Sequence, residues 1–178
     1  MLALALAFDL RTLPSTARAD DAASVDKKCA NPRLPGELLD EPFSPAGEAL
    51  RVVTARVRST TLRLAVAADP ENRELGLMCV TRLRARHGMI FVFPANGEWD
   101  FWMKNTLVPL DMIWVTPDGT VASVAAGVPA STRATPDAAV ARRVGSGLYT
   151  IELNAGEAAL DGLKTGARLR LPPLHAAR

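Results

Sequence analysis

The most distinctive part of the sequence is residues 99–111, which read Trp-Asp-Phe-Trp-Met-Lys-Asn-Thr-Leu-Val-Pro-Leu-Asp. Large apolar side chains are concentrated in and around this stretch. They include all three tryptophans of the chain and four of its five methionines, namely Trp99, Trp102, Trp114, Met78, Met89, Met103 and Met112. Such a concentration indicates either a hydrophobic core or a binding surface. A functional site is therefore expected here.

Residues 99–105 follow the two-residue period of a β-strand. The period places Trp99, Phe101, Met103 and Asn105 on one face of the strand, and Asp100, Trp102 and Lys104 on the other. The first face is typical of a core. The second face carries a large aromatic residue between an acid and a base, a mixture that a buried face does not tolerate and a plain surface rarely needs. The second face is therefore the candidate site.

Outside this stretch, runs of alternating or β-branched residues separated by turn residues predict three hairpins. They join strands 50–57 and 61–67 through residues 58–60, strands 88–93 and 99–105 through Asn96-Gly97, and strands 112–115 and 121–124 through Pro117-Asp118-Gly119. Two further strands are predicted at 148–153 and 167–171.

Two short helices complete the prediction. Asp69 is the N-cap of a helix from residue 70 to about 80, with Gly76 in its middle, and Asn154 caps a second helix that ends at Leu160. The tally of about eight strands and two short helices predicts an α+β fold with a mainly antiparallel, small barrel-like or sandwich sheet.

The composition suits one globular domain with extensions. Of the 178 residues 48% are hydrophobic and 22% charged, and the formal net charge of +2 is too small to indicate a nucleic-acid partner. We assign residues 50–172 to a single β-rich domain, 20–49 to an extended arm rich in proline, and 173–178 to a tail. No segment of residues 20–178 has the run of about eighteen apolar residues that a membrane-spanning helix needs.

Residues 1–19 have features of a signal peptide. An apolar run from Leu2 to Phe8 is followed by Ala17-Arg18-Ala19, a small-residue sequence suited to signal-peptidase cleavage. These features predict a periplasmic or secreted protein. The alternative is a frayed N-terminus on a cytoplasmic protein, because Asp9 and Arg11 interrupt the apolar run and no basic residue precedes it.

The sequence contains two cysteines, Cys29 and Cys79. In an exported protein they could pair, because the compartment is oxidising, and the disulfide would join the arm to the domain. The alternative is two unrelated thiols, since sequence alone does not show that the pair lies within bridging distance.

The chain resembles the prokaryotic family called domain of unknown function 192 over roughly residues 60–172. The resemblance rests on Arg73 to Met78, Gly88 to Pro94, Phe101-Trp102-Met103-Lys104-Asn105-Thr106, Pro109-Leu110-Asp111, and Leu148 to Leu171. It implies a compact β-rich domain with small helices, in a family whose members are often exported, and it supplies no reaction. Cys79 and the N-terminal arm look like additions to the family's pattern, so the resemblance does not support the disulfide.

The polar groups of the distinctive stretch predict a binding module for a small polar molecule, a sugar or a peptide. A site of this kind would use charge, hydrogen-bonding groups and a stacking face. Its predicted residues are Trp102, Lys104, Asn105, Thr106 and Asp111, with Arg133 as a distant contributor. The alternative is structural: Lys104 and Asp111 form an ion pair that braces the sheet, while Asn105 and Thr106 satisfy backbone groups of the turn.

Two other classes of function remain open. An enzyme would use Lys104 with Asp111 as acid and base, or Cys79 with His87 as nucleophile and base. A copper-binding protein would use the soft ligands Met89 and Met103 with His87. The sequence contains no phosphate-binding glycine loop, no dinucleotide fingerprint and no zinc-ligand pattern, so no cofactor or metal is predicted.

Overall fold

The computed structural model describes residues 50–176, which form seven strands and two short α-helices. The strands are β1 (Val52–Val57), β2 (Thr60–Ala67), β3 (His87–Trp102), β4 (Leu110–Val115), β5 (Val121–Val128), β6 (Arg142–Asn154) and β7 (Leu169–Arg170). The helices are α1 (Pro70–Leu75) and α2 (Glu157–Leu160), and Asp137–Ala139 forms a turn of 3-10 helix. The predicted signal peptide (1–19) and arm (20–49), with Cys29, lie outside the described residues.

All seven strands belong to one sheet with the order β5-β4-β6-β3-β2-β1-β7. Each neighbouring pair is antiparallel except β2 with β3, which is parallel. The two ends of the sheet approach each other at an isolated bridge between Thr120 and Arg168, but within residues 50–176 the edge strands do not pair and the sheet is not closed. The predicted α+β class, with a mainly antiparallel, sandwich-like sheet, is confirmed.

Each face of the sheet carries its own hydrophobic core, because successive side chains of a strand point to opposite faces. On β6, Tyr149, Ile151 and Leu153 pack into the first core. The second core is built from large side chains of β3 and β4 and is covered by the segment after α1; its members include Phe91, Phe93, Met103, Met112, Trp114, Leu77, Val80 and Leu83. Both faces of the central strands are therefore buried.

Two of the three predicted hairpins are present. Strands β1 and β2 pair from Val57 with Thr60 to Val52 with Ala65, and the residue that opens their turn, Arg58, has a positive φ of 51°. Strands β4 and β5 pair through the turn that contains Gly119, whose φ is 86°. In both cases the local turn chemistry and the strand pattern agree, so the pairing follows directly from the sequence.

The third predicted hairpin is wrong, because residues 87–102 form one continuous strand. Instead of folding back at Asn96-Gly97, β3 pairs with β6 along both of its halves. Between the pairs Val92–Tyr149 and Gly97–Gly147, the four residues 93–96 of β3 lie opposite the single residue Leu148 of β6. The turn-forming residues Asn96 and Gly97 therefore lie at a large bulge and do not reverse the chain. Because two predicted strands are one continuous strand, the sheet has seven strands where about eight were predicted.

Both predicted helices exist, but their limits differ from the prediction. Asp69 caps α1 as expected, through a bond of 2.8 Å from the Asn72 N–H to its Oδ1. The helix stops at Leu75, because Gly76 has a φ of 49° and ends the helix rather than lying in its middle. Helix α2 begins after Gly156, so Asn154 is not its cap; the Asn154 amide donates instead to the Leu83 carbonyl at 3.2 Å.

The end of the chain contributes to packing. Leu174, within the predicted tail 173–178, is buried in the first core.

Within residues 50–176, no helix is both long enough and apolar enough to cross a membrane.

Candidate functional site

A pocket of about 230 Å³ opens on the face of the sheet that carries the second core, between α1 with the turn after it and the strands β3 and β6. Its wall includes Trp99 and Phe101, which the two-residue period assigned to a core, whereas the period placed the site on the opposite face, with Asp100, Trp102 and Lys104. Five aromatic residues of β3 line the pocket, namely Phe91, Phe93, Trp99, Phe101 and Trp102. The remaining lining residues are Arg73, Glu74, Leu75, Gly76, Leu77, Met78, Asp100, Thr106 and Glu152. The pocket is thus mostly apolar with a few polar groups, which is the usual character of a small-molecule site.

The aromatic wall depends on the bulge in β3. The rings of Phe93 and Trp99 stack with centroids 3.9 Å apart and an interplanar angle of 10°. Phe101 meets Phe91 edge to face, with centroids 4.9 Å apart. The indole Nε1 of Trp99 donates to the Gly147 carbonyl at 3.0 Å, which fixes the ring on β6. The wall is therefore held by ring contacts and by a hydrogen bond to the neighbouring strand.

Arg73, in the last turn of α1, forms a second wall. One guanidinium nitrogen, Nη1, donates to the carbonyls of Ala68 at 2.5 Å and Val92 at 3.0 Å. The guanidinium also lies 5.7 Å from the centre of the Phe93 ring, within the range of a cation–π interaction. These contacts hold the positive charge of Arg73 at the side of the pocket.

Glu152 brings a buried carboxyl group to the pocket. It lies on β6 opposite Met89 of β3 and Met112 of β4, and it is only 5% exposed. Within residues 50–176 its carboxyl group has no hydrogen-bond or ion-pair partner. Burial raises the pKa of Glu152 to about 8, so the group is largely protonated at neutral pH.

The sequence did not identify Glu152 because the alternation along residues 148–153 is also that of a strand with one solvated face. In the structure, Thr150 and Glu152 lie on the face that carries the second core, which is buried like the first. The sequence does show a carboxylate in a strand whose other residues are largely apolar. Whether that carboxylate is solvated or buried depends on which elements cover its face of the sheet.

Two of the predicted site residues line the pocket. Trp102 ends β3 at the rim and is 39% exposed, and the Arg142 guanidinium lies 5.6 Å from the centre of its ring. Arg142 also bonds to Asp100 at 2.5 Å, and this hydrogen bond raises the pKa of Arg142. Thr106 is buried, and its hydroxyl donates to the Lys104 carbonyl at 3.3 Å.

The predicted ion pair between Lys104 and Asp111 is wrong. The Lys104 ammonium group binds the carboxylate of Asp137, at the start of the 3-10 helix. Asp111 is fully buried and accepts three backbone N–H bonds, from Gly127 at 2.8 Å, Gly156 at 2.9 Å and Ala158 at 2.9 Å. It therefore ties β4 to β5 and to the start of α2. Because the two side chains have different partners, they do not form the proposed acid and base pair.

Asn105 and Arg133 also lie outside the lining of this pocket. Asn105 is buried with a φ of 52°, and its backbone carbonyl accepts the Cys79 N–H at 2.9 Å. Its side-chain Oδ1 is buried without a hydrogen-bond partner within residues 50–176, so this oxygen does not satisfy a backbone group of the turn as the structural alternative expected. Arg133 is exposed in the loop between β5 and β6. Ligand contacts by Lys104, Asn105, Asp111 and Arg133 stay predictions.

Cysteine chemistry was predicted at Cys29 and Cys79, and copper binding at His87, Met89 and Met103. Cys29 lies outside the described residues, so its disulfide with Cys79 stays a prediction, as does a catalytic pair of Cys79 with His87. Met89 and Met103 are both buried in the second core. Within residues 50–176, no three His, Cys, Asp or Glu side chains are grouped so that they could hold a metal ion.

Comparison with known proteins identifies one family. Residues 52–171 match the model of domain of unknown function 192 (DUF192), described as an uncharacterized ACR. A crystal structure from Sinorhizobium meliloti 1021, described as a candidate transcription regulator, is 31% identical, with a TM-score of 0.61 over 68% of this chain and 95% of that one. A protein of unknown function from Novosphingobium aromaticivorans DSM 12444 is 29% identical, with a TM-score of 0.57 over 78% and 97%. No curated protein matches the chain.

Proposed function

We propose that this chain, which belongs to the DUF192 family, is a binding module whose aromatic pocket on β3 takes a small organic molecule or a single side chain of a peptide. The family description carries no activity, so the proposal rests on the pocket. The residues expected to contact the ligand are Trp99, Trp102, Thr106 and Glu152.

The observation that carries the proposal is the unpaired carboxyl group of Glu152. Burying a polar group without a hydrogen bond costs free energy, and native proteins leave few such groups. Each of the other buried carboxyl groups of residues 50–176 has at least one partner. Asp111 accepts three N–H bonds, Glu157 accepts at Oε1 from the Arg86 N–H while its Oε2 has no partner, and Asp161 binds the Arg86 guanidinium. A purely structural Glu152 would be expected to have similar partners. An open pocket beside it favours a ligand as the missing partner.

The size of the pocket limits what the ligand can be. A cavity of about 150 Å³ holds one benzene molecule, so a pocket of about 230 Å³ holds roughly nine non-hydrogen atoms. This volume suits a small organic molecule or one side chain of a peptide rather than a nucleotide or a folded partner. The stacked rings of Phe93 and Trp99 provide a flat apolar wall for such a group.

Thermal unfolding in the presence of a ligand panel tests the proposal. The panel contains small amines, amino acids, monosaccharides and short peptides, and binding to the folded state raises the Tm with ligand concentration. We expect at least one class to stabilise the protein, and Trp102→Ala to weaken that binding by about tenfold or more, because a rim tryptophan supplies much of the contact area.

Leu107→Ala is the matched control. Leu107 is 38% exposed, close to the 39% of Trp102, and it does not line the pocket. The control should keep the affinity of the wild-type protein. The proposal fails if no class raises the Tm, and the pocket is the wrong location if Trp102→Ala and Leu107→Ala bind equally well.

A further inference from the structure

We infer that the ligand of the aromatic pocket carries a protonated amine, and that the carboxylate of Glu152 together with the surrounding rings binds this cation. The inference rests on the proposed binding function and adds the chemical class of the ligand. It concerns only the pocket on the face of the sheet that carries the second core.

Among the buried residues that line the pocket, the polar side chain that lacks a partner is an acid, Glu152. Once ionised, a carboxylate is a hydrogen-bond acceptor only, so the group that completes it must donate hydrogen bonds, and a cationic donor also compensates its charge. An ammonium group has both properties. Of the other pocket residues, only Arg73 carries a positive charge, and its Nη1 is already bonded to two backbone carbonyls at the side wall.

The charge balance of the lining also favours a cation. Glu74 and Asp100 join Glu152 as acidic residues, against Arg73 as the single basic residue of the lining. Asp100 is bonded to Arg142, which neutralises part of that excess at the rim. With Glu152 ionised, the three acids outnumber the two guanidinium groups of Arg73 and Arg142 by one. A bound ammonium group would supply the missing positive charge.

The aromatic rings of the pocket already attract cations. Arg73 lies over Phe93 at 5.7 Å, and Arg142 lies over Trp102 at 5.6 Å. Both contacts use the negative potential of a ring face. Because Arg73 and Arg142 cover these two faces, a ligand amine would use the other ring surfaces of the lining. An amine that enters between these walls meets both a π surface and a carboxylate. A neutral ligand of the same shape gains only the apolar contacts.

Ionisation of Glu152 links the binding to protons. Burial raises the pKa of Glu152 to about 8, so a protonated amine that binds at neutral pH displaces the proton from the carboxyl group. The charged groups that line the pocket around Glu152 are Arg73 and Glu74 from α1 and Asp100 from β3. On β4 its neighbour is the uncharged Met112.

Benzylamine and benzyl alcohol test the inference, because the two probes have the same number of non-hydrogen atoms and differ in charge. Titration calorimetry is carried out at about pH 8, where ionising Glu152 costs little. We expect the wild-type protein to bind benzylamine at least about tenfold more tightly than benzyl alcohol. The reason is that the ammonium group adds a charge-assisted hydrogen bond to the apolar contacts that both probes make. Glu152→Gln, which keeps the shape of the side chain, should reduce the preference to about twofold or less.

Glu98→Gln is the matched control, since it makes the same change at an exposed residue of β3 that does not line the pocket; it should keep the preference of the wild-type protein. Equal binding of both probes by the wild-type protein overturns the amine inference and leaves the binding function standing. A preference that persists in Glu152→Gln also overturns the inference. Failure of benzylamine to bind overturns it as well, and the ligand panel then decides the binding function separately.

Discussion

Phe93 and Trp99 stack face to face with centroids 3.9 Å apart, although six positions separate them on one strand. In a regular strand the two Cα atoms would be about 20 Å apart. The large bulge at residues 93–96 brings the rings together and forms the wall of the pocket. One irregularity in the sheet therefore creates the candidate site.

Phe93→Ala should destabilise the protein by about 3 kcal/mol, because it removes a buried ring that contacts Trp99 and Phe101. Urea denaturation measures the change. Val144→Ala, at an exposed position of β6, is the control and should change the stability by less than about 0.5 kcal/mol. Similar losses for the two variants would show that the stacked pair is not a structural unit.

Glu152 should make the wild-type protein less stable as the pH rises. Its folded-state pKa of about 8 lies above the ordinary value of 4.5, so the folded protein holds a proton that the unfolded chain has released. This contribution of Glu152 to the free energy of unfolding is fully present below about pH 4.5. It decreases as the pH rises to about 8, by roughly 3–5 kcal/mol in total.

Glu152→Gln should lack this loss and should therefore be more stable than the wild-type protein at pH 8, while the two differ little near pH 5. Urea denaturation at a series of pH values measures the effect, with Glu98→Gln expected to follow the wild-type curve. Parallel curves for Glu152→Gln and the wild-type protein would contradict the raised pKa.

Binding of benzylamine should strengthen with pH. Below about pH 8 the affinity should rise by up to about tenfold per pH unit, because more of the unbound protein already holds an ionised Glu152. Calorimetry in buffers of different ionisation enthalpy measures both the affinity and the proton released. A flat profile for the wild-type protein, matching that of Glu152→Gln, would argue against Glu152 as the group that binds the amine.

Asp111→Ala should cost about 3–5 kcal/mol, because it removes a fully buried carboxylate and leaves the N–H groups of Gly127, Gly156 and Ala158 without their acceptor, that of Ala158 in a buried position. Lys104→Ala should cost less than about 1 kcal/mol, since its partner Asp137 is largely exposed. Denaturant unfolding of both variants measures the contrast. Equal, large losses would instead support the ion pair that the sequence suggested.

Gly145→Ala should destabilise the protein by about 1–3 kcal/mol. A Cβ atom at this position would lie 2.2 Å from the Trp114 ring, which must then move within a packed core. Gly97→Ala is the control, because its Cβ atom would meet Trp99 at an ordinary contact distance of 3.8 Å. The expected difference is measured by urea denaturation followed by tryptophan fluorescence, and equal stability of the two variants would contradict the packing of Trp114 on Gly145.

Much of the fold could be predicted because its signals are local. The cap at Asp69 and the β1–β2 and β4–β5 hairpins depend on residues within a few positions of one another, and all three are present. The same local logic failed at Asn96-Gly97, where turn-forming residues occur in a bulge. Pairing with the long strand β6 outweighed the local preference for a reversal.

The same distinction between local and tertiary information applies to the candidate site. The sequence by itself determined that the aromatic residues of 99–102 alternate between two faces of a strand, and that a site was to be sought there, since side-chain alternation is a property of the backbone. Only the tertiary structure decided that Asp111 bonds to backbone groups of β5 and the α2 region, and that Lys104 pairs with Asp137.

The tertiary structure alone also placed Glu152, from a strand fifty residues further along the chain, beside Trp102 in one pocket. The physical reason is that burial, and with it the pKa of a carboxyl group, depends on which distant elements cover it. Distances along the chain do not contain that information.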